Sequence, residues 1–356
     1  VASALARERL SLKLRFGVTG VGHRGMTLAR TLARMDDAAI VGLADLDAGR
    51  LDAAASEFGV DETFSLVSEM VDSMDLDAVL VLTPDAAHHP QSIRCLEAGV
   101  HVLVEKPPAY TVAETKEMAE AADSAGKHLM VGWNRTYALQ RVKELFGDEP
   151  PAVVMADFVR PDPAFLGLIR NHLVDPLYYL CGVPDQIVAV GNMADEAREG
   201  NTVASMRFKG GSLGQVTLSL GAGGRSESLT AFGNGYSVFI DSTSTGAGTV
   251  VRGGKVVETL EPVDSIELQI RHFIDCIRED REPLTSGRRA VEIMKFIQGV
   301  MDAAGTTTTS FAPDSGDGWI TWCGCGDKIV PGLDSCPNCG QGWEGWSMPV
   351  EQVLRA

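Results

Sequence analysis

No apolar run of the roughly 18 to 20 residues that a bilayer span requires occurs in these 356 residues. The most strand-like stretch, Ala78 to Leu82, has the length of a buried strand, and no transmembrane helix is expected. Basic charge is scarce as well. Lys and Arg number 31 against 48 Asp and Glu, a formal net charge of −17 that would repel a phosphate backbone, so nucleic acid is not an expected partner. The first thirteen residues, VASALARERLSLK, lack the apolar core and small-residue cleavage site of a secretory signal; they read as a lead-in, and a cytoplasmic protein is expected. No internal repeat is visible.

Cysteine is sparse over most of the chain. Cys95, Cys181 and Cys276 lie singly inside apolar patterns, where a small buried thiol is the expected reading. The other four, Cys323, Cys325, Cys336 and Cys339, crowd into the tail as C-G-C and C-P-N-C-G. Four thiolates in two close pairs suit a tetrahedral, closed, structural zinc, in a variant spacing with a short loop. Two disulfides are the alternative, disfavoured without a secretion signal. The tail carries Trp319, Trp322, Trp343 and Trp346, and zinc there would substitute for a core the segment cannot build. Its acidic balance points to protein docking, within an oligomer or to a partner, rather than to nucleic acid.

What is present is an alternation. RFGVTG, AAIVGLAD, DAVLVLTP and HVLVEKP are short apolar runs separated by helical stretches, the pattern of βαβ units on a doubly wound parallel sheet. From about Trp133 the extended runs come in succession (VVMADFV, QIVAVGN, TVASMRF, SLGQVTLSL, SLTAFGN, YSVFID), which predicts a mostly antiparallel sheet. One helix is embedded there, from about Phe165 to Cys181, and a helical pair, Glu267 to Glu279 and Arg288 to Ala304, closes the region. The expected organisation is an extension (1–13), a Rossmann domain (14–133), an α+β domain with an open-faced sheet (134–305), a linker (306–318) and a zinc ribbon (319–356).

Gly20-Val21-Gly22-His23-Arg24-Gly25 follows a strand and opens a helix, the context in which a glycine fingerprint binds a dinucleotide. Gly20 makes the turn, Gly22 lets the pyrophosphate approach the backbone at the helix N-terminus, and Gly25 lets helix and strand pack. Asp45, about twenty residues on at the end of the second strand, is placed to bind the adenosine ribose hydroxyls. Leu46 follows it, and no arginine for a 2′-phosphate is evident, so NAD is expected over NADP.

The segments GVTGVGHRG, TPDAAHHPQSIRCLEAGVHVLVEKPPAYTVAE, GWNRTY and NHLVDPLYYLCG resemble the Gfo/Idh/MocA oxidoreductases over residues 14–304, with the EKP tripeptide as the most specific mark. The resemblance implies a Rossmann domain joined to an open-faced sheet domain, with the active site between them, acting on sugars, cyclitols or their derivatives, and a dimer or tetramer. It implies that Lys106 contacts the reacting oxygen, that His172 shuttles the proton and that Asp175, one turn later, assists. Thr83, Pro84, His88 and Glu105 correspond to residues lining the cofactor, with Asp85 where asparagine is usual. Asn134 and Arg135 match a family segment that borders the cleft and meets substrate, although an arginine at 135 serves equally as an interdomain salt-bridge partner; Asn171, a polar residue beside His172, is a further candidate substrate contact. One departure stands out: the family often has an aspartate four residues before the histidine, where this chain has Leu168.

The chemistry agrees with those residue types. Oxidising a secondary alcohol removes a hydroxyl proton as hydride leaves the carbon, which calls for a base near neutrality beside a cation. Histidine, with a reference pKa of about 6.5, suits the first role and lysine the second. Asp175 precedes Pro176, a position that disfavours continued α geometry and could start a new turn as a cap. A second reading of the chain is a catalytically idle family member that acts as scaffold or sensor through its zinc ribbon.

Overall fold

Four-residue strands that are buried on both faces, such as Ala78–Val81 and His101–Val104, are what a parallel sheet covered on both sides requires. The computed structural model, which describes residues 13–161, 168–192, 201–220, 222–304, 319–321 and 347–349, forms such a sheet. Its elements run β1 (Leu14–Thr19), α1 (His23–Ala33), β2 (Ala38–Ala44), α2 (Ala48–Phe58), β3 (Thr63–Phe64), α3 (Val67–Ser73), β4 (Ala78–Val81), α4 (Asp85–Glu97), β5 (His101–Val104), α5 (Val112–Ala125) and β6 (Leu129–Val131). The strand order is β3-β2-β1-β4-β5-β6, with every pair parallel. The order reverses between β1 and β4, and a crevice at such a switch point is where open α/β sheets take ligands. Local chemistry sets the helix ends. Asp47 caps α2 by accepting from the Arg50 N–H, Thr111 and Glu114 form a capping box on α5, and Gly59 and Gly126 end those helices in the left-handed conformation.

The second sheet follows. After α6 (Arg135–Ala138) and α7 (Gln140–Phe146) come β7 (Val153–Arg160), α8 (Leu168–Cys181), β8 (Pro184–Asn192), β9 (Asn201–Phe208), β10 (Leu213–Leu220), β11 (Ser226–Gly233), β12 (Tyr236–Ile240), β13 (Gly248–Arg252) and β14 (Lys255–Leu260). Their order is β14-β13-β12-β11-β7-β10-β9-β8, antiparallel except for the β7–β10 pair. Along β9 exposed and buried residues alternate without a break, so one face is covered and the other open. Val188, Val190, Val203 and Leu213 are exposed apolar residues of these strands.

Two long helices follow, α9 (Ser265–Glu279) and α10 (Gly287–Ala303), close to the pair expected. The residues up to Ala304 divide into two compact units, 13–132 with 269–291 and 133–268 with 292–304. Phe16 meets Phe273 edge to face in the first; Phe208 meets Phe296 in the second. In the tail, β15 (Trp319–Thr321) and β16 (Ser347–Pro349) pair antiparallel. Cys323, Cys325, Cys336 and Cys339 lie outside the described residues. Among the described residues no helix is long and apolar enough to cross a membrane.

Two local differences from the sequence reading have simple causes. Helix α8 runs through Pro176 instead of restarting there. Proline at that position only withholds an N–H from the His172 carbonyl, one turn back, while Val174, Leu177 and Leu180 stay buried on either side of it. The hairpin β13–β14 was not anticipated, although its signal is in the sequence: Gly253 and Gly254, with φ of 58° and 73°, stand between two apolar runs.

Candidate active site

In the first unit the turn after β1 is shaped for close approach. Gly20 has φ of 86°, and a β-carbon there would lie 2.6 Å from the Leu82 carbonyl carbon and the Thr83 nitrogen. A β-carbon on Gly25 would stand 1.9 Å from the Gly20 oxygen. Only glycine fits either place without moving main chain. Gly22 is the N-cap of α1 and offers no side chain, so the first-turn N–H groups of His23, Arg24 and Gly25 are left for an external acceptor. This cradle fits a pyrophosphate. His23 itself is exposed.

Asp45 sits just beyond β2, where the sequence reading put it. Its Oδ2 accepts the Val21 N–H at 2.8 Å and its Oδ1 accepts the Asp47 N–H at 2.8 Å, which ties the glycine turn to the second strand. Arg50, on the first turn of α2, brings its Nη2 to 3.3 Å from Oδ1. An arginine does therefore stand beside Asp45, contrary to the reading that none was evident; it lies five residues away in sequence and is brought near by the helix that Asp47 caps. Leu46 is 39% exposed.

Around the EKP tripeptide, Arg24 donates Nε and Nη2 to Glu105 Oε1 at 2.9 and 2.8 Å, and Glu105 Oε2 accepts the Lys106 N–H at 3.1 Å. Burial alone would raise the Glu105 pKa, but the Arg24 and Lys106 cations outweigh it and hold the carboxyl below its ordinary range. The Lys106–Pro107 peptide is cis. His88, fully buried, has Nδ1 at 2.7 Å from the Pro107 carbonyl and Nε2 at 2.7 Å from the Thr83 carbonyl. It joins the loop after β4 to the turn after β5. The Thr83 hydroxyl donates to Gln91 Oε1 at 2.9 Å, and Pro84 is the N-cap of α4.

In the second unit, His172 and Asp175 lie one turn apart on α8. The His172 ring is nearly parallel to that of Phe158, at 12° and 6.0 Å between centroids. Asp175 is fully buried and accepts a 2.7 Å hydrogen bond from the Thr136 hydroxyl. Asn134 donates to the Ser265 hydroxyl oxygen at 2.7 Å, and that hydroxyl donates to the Ser244 carbonyl. Arg135 is buried, donates Nε to the Thr243 hydroxyl oxygen at 2.9 Å and pairs with Glu227. Arg135 is a salt-bridge partner, but of Glu227 in its own unit and not across domains as the sequence suggested. Asn171 and Leu168 lie in α8, with side chains outside the described residues. Lys106 belongs to the first unit, and His172 and Asp175 to the second.

Sequence reasoning missed Glu227, Arg160 and Arg225. The signal for Glu227 was there: in SESLTAFG it takes the inward phase shared by Leu229 and Ala231, and a charge on an apolar face asks for a partner. The three scattered cysteines are buried, and burial raises their thiols, Cys95 to about 12 and Cys181 and Cys276 to about 11, so none is a reactive thiolate.

The parallel sheet and its glycine-lined turn form a Rossmann-type domain. Residues 14–133 match the Gfo/Idh/MocA family model, described as an oxidoreductase family with an NAD-binding Rossmann fold. Over a longer span the chain is 26% identical to the myo-inositol 2-dehydrogenase of Thermotoga maritima, across 75% of this chain and 84% of that one. It is 24% identical to a D-xylose 1-dehydrogenase (NADP(+)) of Haloferax volcanii, across 82% and 96%. Among solved structures, the UDP-N-acetylglucosamine 3-dehydrogenase of Acidithiobacillus ferrooxidans superposes with a TM-score of 0.74 at 21% identity, over 84% of this chain and 99% of that one. That likeness establishes the two-sheet fold.

Proposed function

We propose that this chain is an NAD-dependent oxidoreductase that moves hydride between the nicotinamide and a secondary alcohol or ketone of a sugar, cyclitol or sugar derivative. The observation that carries the reading is the Gly20–Gly25 turn, where added β-carbons would strike main chain at 2.6 and 1.9 Å, set against Asp45 at the end of β2. The family match of residues 14–133 and the dehydrogenases named above support it. Hydride acceptance and return are the chemistry that the cofactor supplies when bound. The chain does the rest. Gly20, Gly22, Gly25 and the first-turn N–H groups hold the pyrophosphate; Asp45 receives the ribose hydroxyls; Thr83, Pro84 and Glu105 line the cofactor. Lys106 stabilises negative charge on the reacting oxygen, and His172 takes and returns its proton. Asp175, one turn along α8, fixes the helix at His172 through its bond from Thr136.

The test is direct. Purified full chain with NAD, offered a panel of sugars, cyclitols and their acids and phosphates, should generate NADH absorbance with at least one member, and silence across the panel in protein that binds NAD would favour the idle-scaffold reading. We also infer that Cys323, Cys325, Cys336 and Cys339 hold one structural zinc, on the strength of their spacing alone. Elemental analysis of protein purified without chelator should find about one zinc per chain; none would end that inference.

A further inference from the structure

Three arginines of the second unit share one glutamate. Glu227 faces the covered side of β11, in register with Phe158 on β7, with its side chain 3% exposed. Arg135 Nη2 pairs with its Oε2. Arg160 Nη2 stands 2.7 Å from Oε1, and Arg225 donates Nε and Nη2 to the same Oε1 at 2.8 and 2.7 Å. Even with Arg160 set aside, Arg135 and Arg225 outnumber the carboxylate they share, in a chain where acids outnumber bases 48 to 31. The crowding is felt at Arg135. Burial lowers its hold on its proton, Glu227 raises it in part, and Arg160 and Arg225 lower it again. Cations held partly out of water are costly unless an anion meets them.

The cluster adjoins the residue read as the proton shuttle. Phe158 stacks with His172, and the guanidiniums of Arg160 and Arg135 lie 4.8 and 5.4 Å from the centre of the same ring. Arg135 is sealed in. Arg160 and Arg225 keep 24% and 56% of their side chains exposed, so their forks can reach a bound molecule. We propose that the substrate carries an anionic group, a carboxylate or a phosphate, which Arg160 and Arg225 bind beside His172; that the anion belongs to the substrate rests on the dehydrogenase reading above. A planar fork of N–H donors matches either oxyanion in two-point geometry, which a lysine would not. Glu227 holds the arginines in place, and Arg135 with Arg225 already carries one charge more than the carboxylate they share.

The experiment uses the full chain loaded with NAD and titrates it calorimetrically with glucose, glucuronate and glucose 6-phosphate. At least one anion should bind about tenfold or more tighter than glucose, the scale of a hydrogen bond to a charged group, and the tighter of the two tells carboxylate from phosphate. Arg225→Ala and Arg160→Ala should each erase most of that preference, and Arg225→Lys should restore part of it. Arg207→Ala, which removes an exposed arginine paired with Asp185 elsewhere on the sheet, should leave it intact. Equal affinity for all three ligands, no binding by either anion, or a preference that survives both alanine variants overturns the proposal. Following NADH in the same samples separates the two claims. Arginine-dependent anion binding without NADH from any ligand of the wider panel would sink the dehydrogenase reading, and with it the anion's place in a substrate, but not the arginine site; NADH formed from neutral sugars, with no anion preference, would sink this proposal alone.

Discussion

The two units carry their candidate site residues in different kinds of place. In the first they sit in turns at the ends of parallel strands: the Gly20 turn after β1, Asp45 after β2, Thr83 after β4 and Lys106 after β5, each contiguous in sequence and shaped by main chain. In the second they are spread over a sheet face and two helices, with Arg135 on α6, Phe158 and Arg160 on β7, His172 on α8 and Glu227 on β11. A site built from turns is fixed by local backbone geometry, and short motifs record it. Short motifs record Arg135 and His172 on their helices, but the meeting of Glu227 with Arg160 on the sheet face is fixed by strand register, and no contiguous motif records it.

That contrast can be broken by substitution, and the largest effect should fall on catalysis. Lys106→Ala and His172→Ala should each lower turnover on an identified substrate by roughly two to four powers of ten, the range for a lost proton-transfer or charge-stabilising group. His172→Ala should also flatten the pH–rate profile near the histidine range and leave the calorimetric affinity for NAD nearly unchanged. Two variants with wild-type turnover would show that these residues are not the pair that handles the substrate oxygen.

Next in size is the test of main-chain control. Gly25→Ala forces a methyl into the Gly20 carbonyl, so NAD affinity should drop by at least about tenfold, since the helix must withdraw from the turn that meets the pyrophosphate. In the second unit, Glu227→Gln removes the shared anion from three guanidiniums. Urea unfolding should register about 3 kcal/mol, the cost of breaking a buried ion pair from one side. A negligible change there would mean that solvent already neutralises the cluster.

Asp45→Ser sharpens the comparison within the first unit. Removing the carboxylate takes repulsion away from a 2′-phosphate and releases Arg50, so the NADP-to-NAD affinity ratio should rise about tenfold to a hundredfold. An unchanged ratio would mean that Asp45 serves only the Val21 and Asp47 N–H groups.

The smallest effect is on stability against pH. His101 Nδ1 accepts the His128 N–H and His272 Nε2 accepts the Leu284 N–H, both at 2.9 Å, which a protonated nitrogen cannot do. Burial, aided by Lys127 and His128, pushes His101 down to about 3, and burial with Arg281 pushes His272 to about 4. The unfolded chain, with histidines near 6.5, therefore binds more protons than the folded one as pH falls. Stability of the first unit should be full above about 6.5 and decline through pH 6 to 4. His101→Gln and His272→Gln should shallow that decline in thermal melts; an unaltered slope would assign it to other groups.

Most of the first unit was legible because its rules are local. The glycine fingerprint, the alternation of strand and helix, and Asp45 each follow from a few neighbouring residues. Arg50 escaped because its approach to Asp45 depends on the helix that Asp47 caps. The second unit yielded its strands up to Tyr236–Ile240 by alternation alone, yet not the order β14-β13-β12-β11-β7-β10-β9-β8, with its single parallel pair between β7 and β10. Without that order nothing in the sequence sets Glu227 opposite Phe158, or brings Arg160 to its carboxylate.

The central claim is hydride transfer from a carbon that bears a hydroxyl, and isotope transfer tests it most directly. A substrate found in the panel, deuterated at that carbon and incubated with the full chain and NAD, should deliver one deuterium to each molecule of cofactor reduced, read by mass spectrometry. Reduced cofactor without label, or a cofactor that stays oxidised while protein, NAD and substrate bind, would contradict the account.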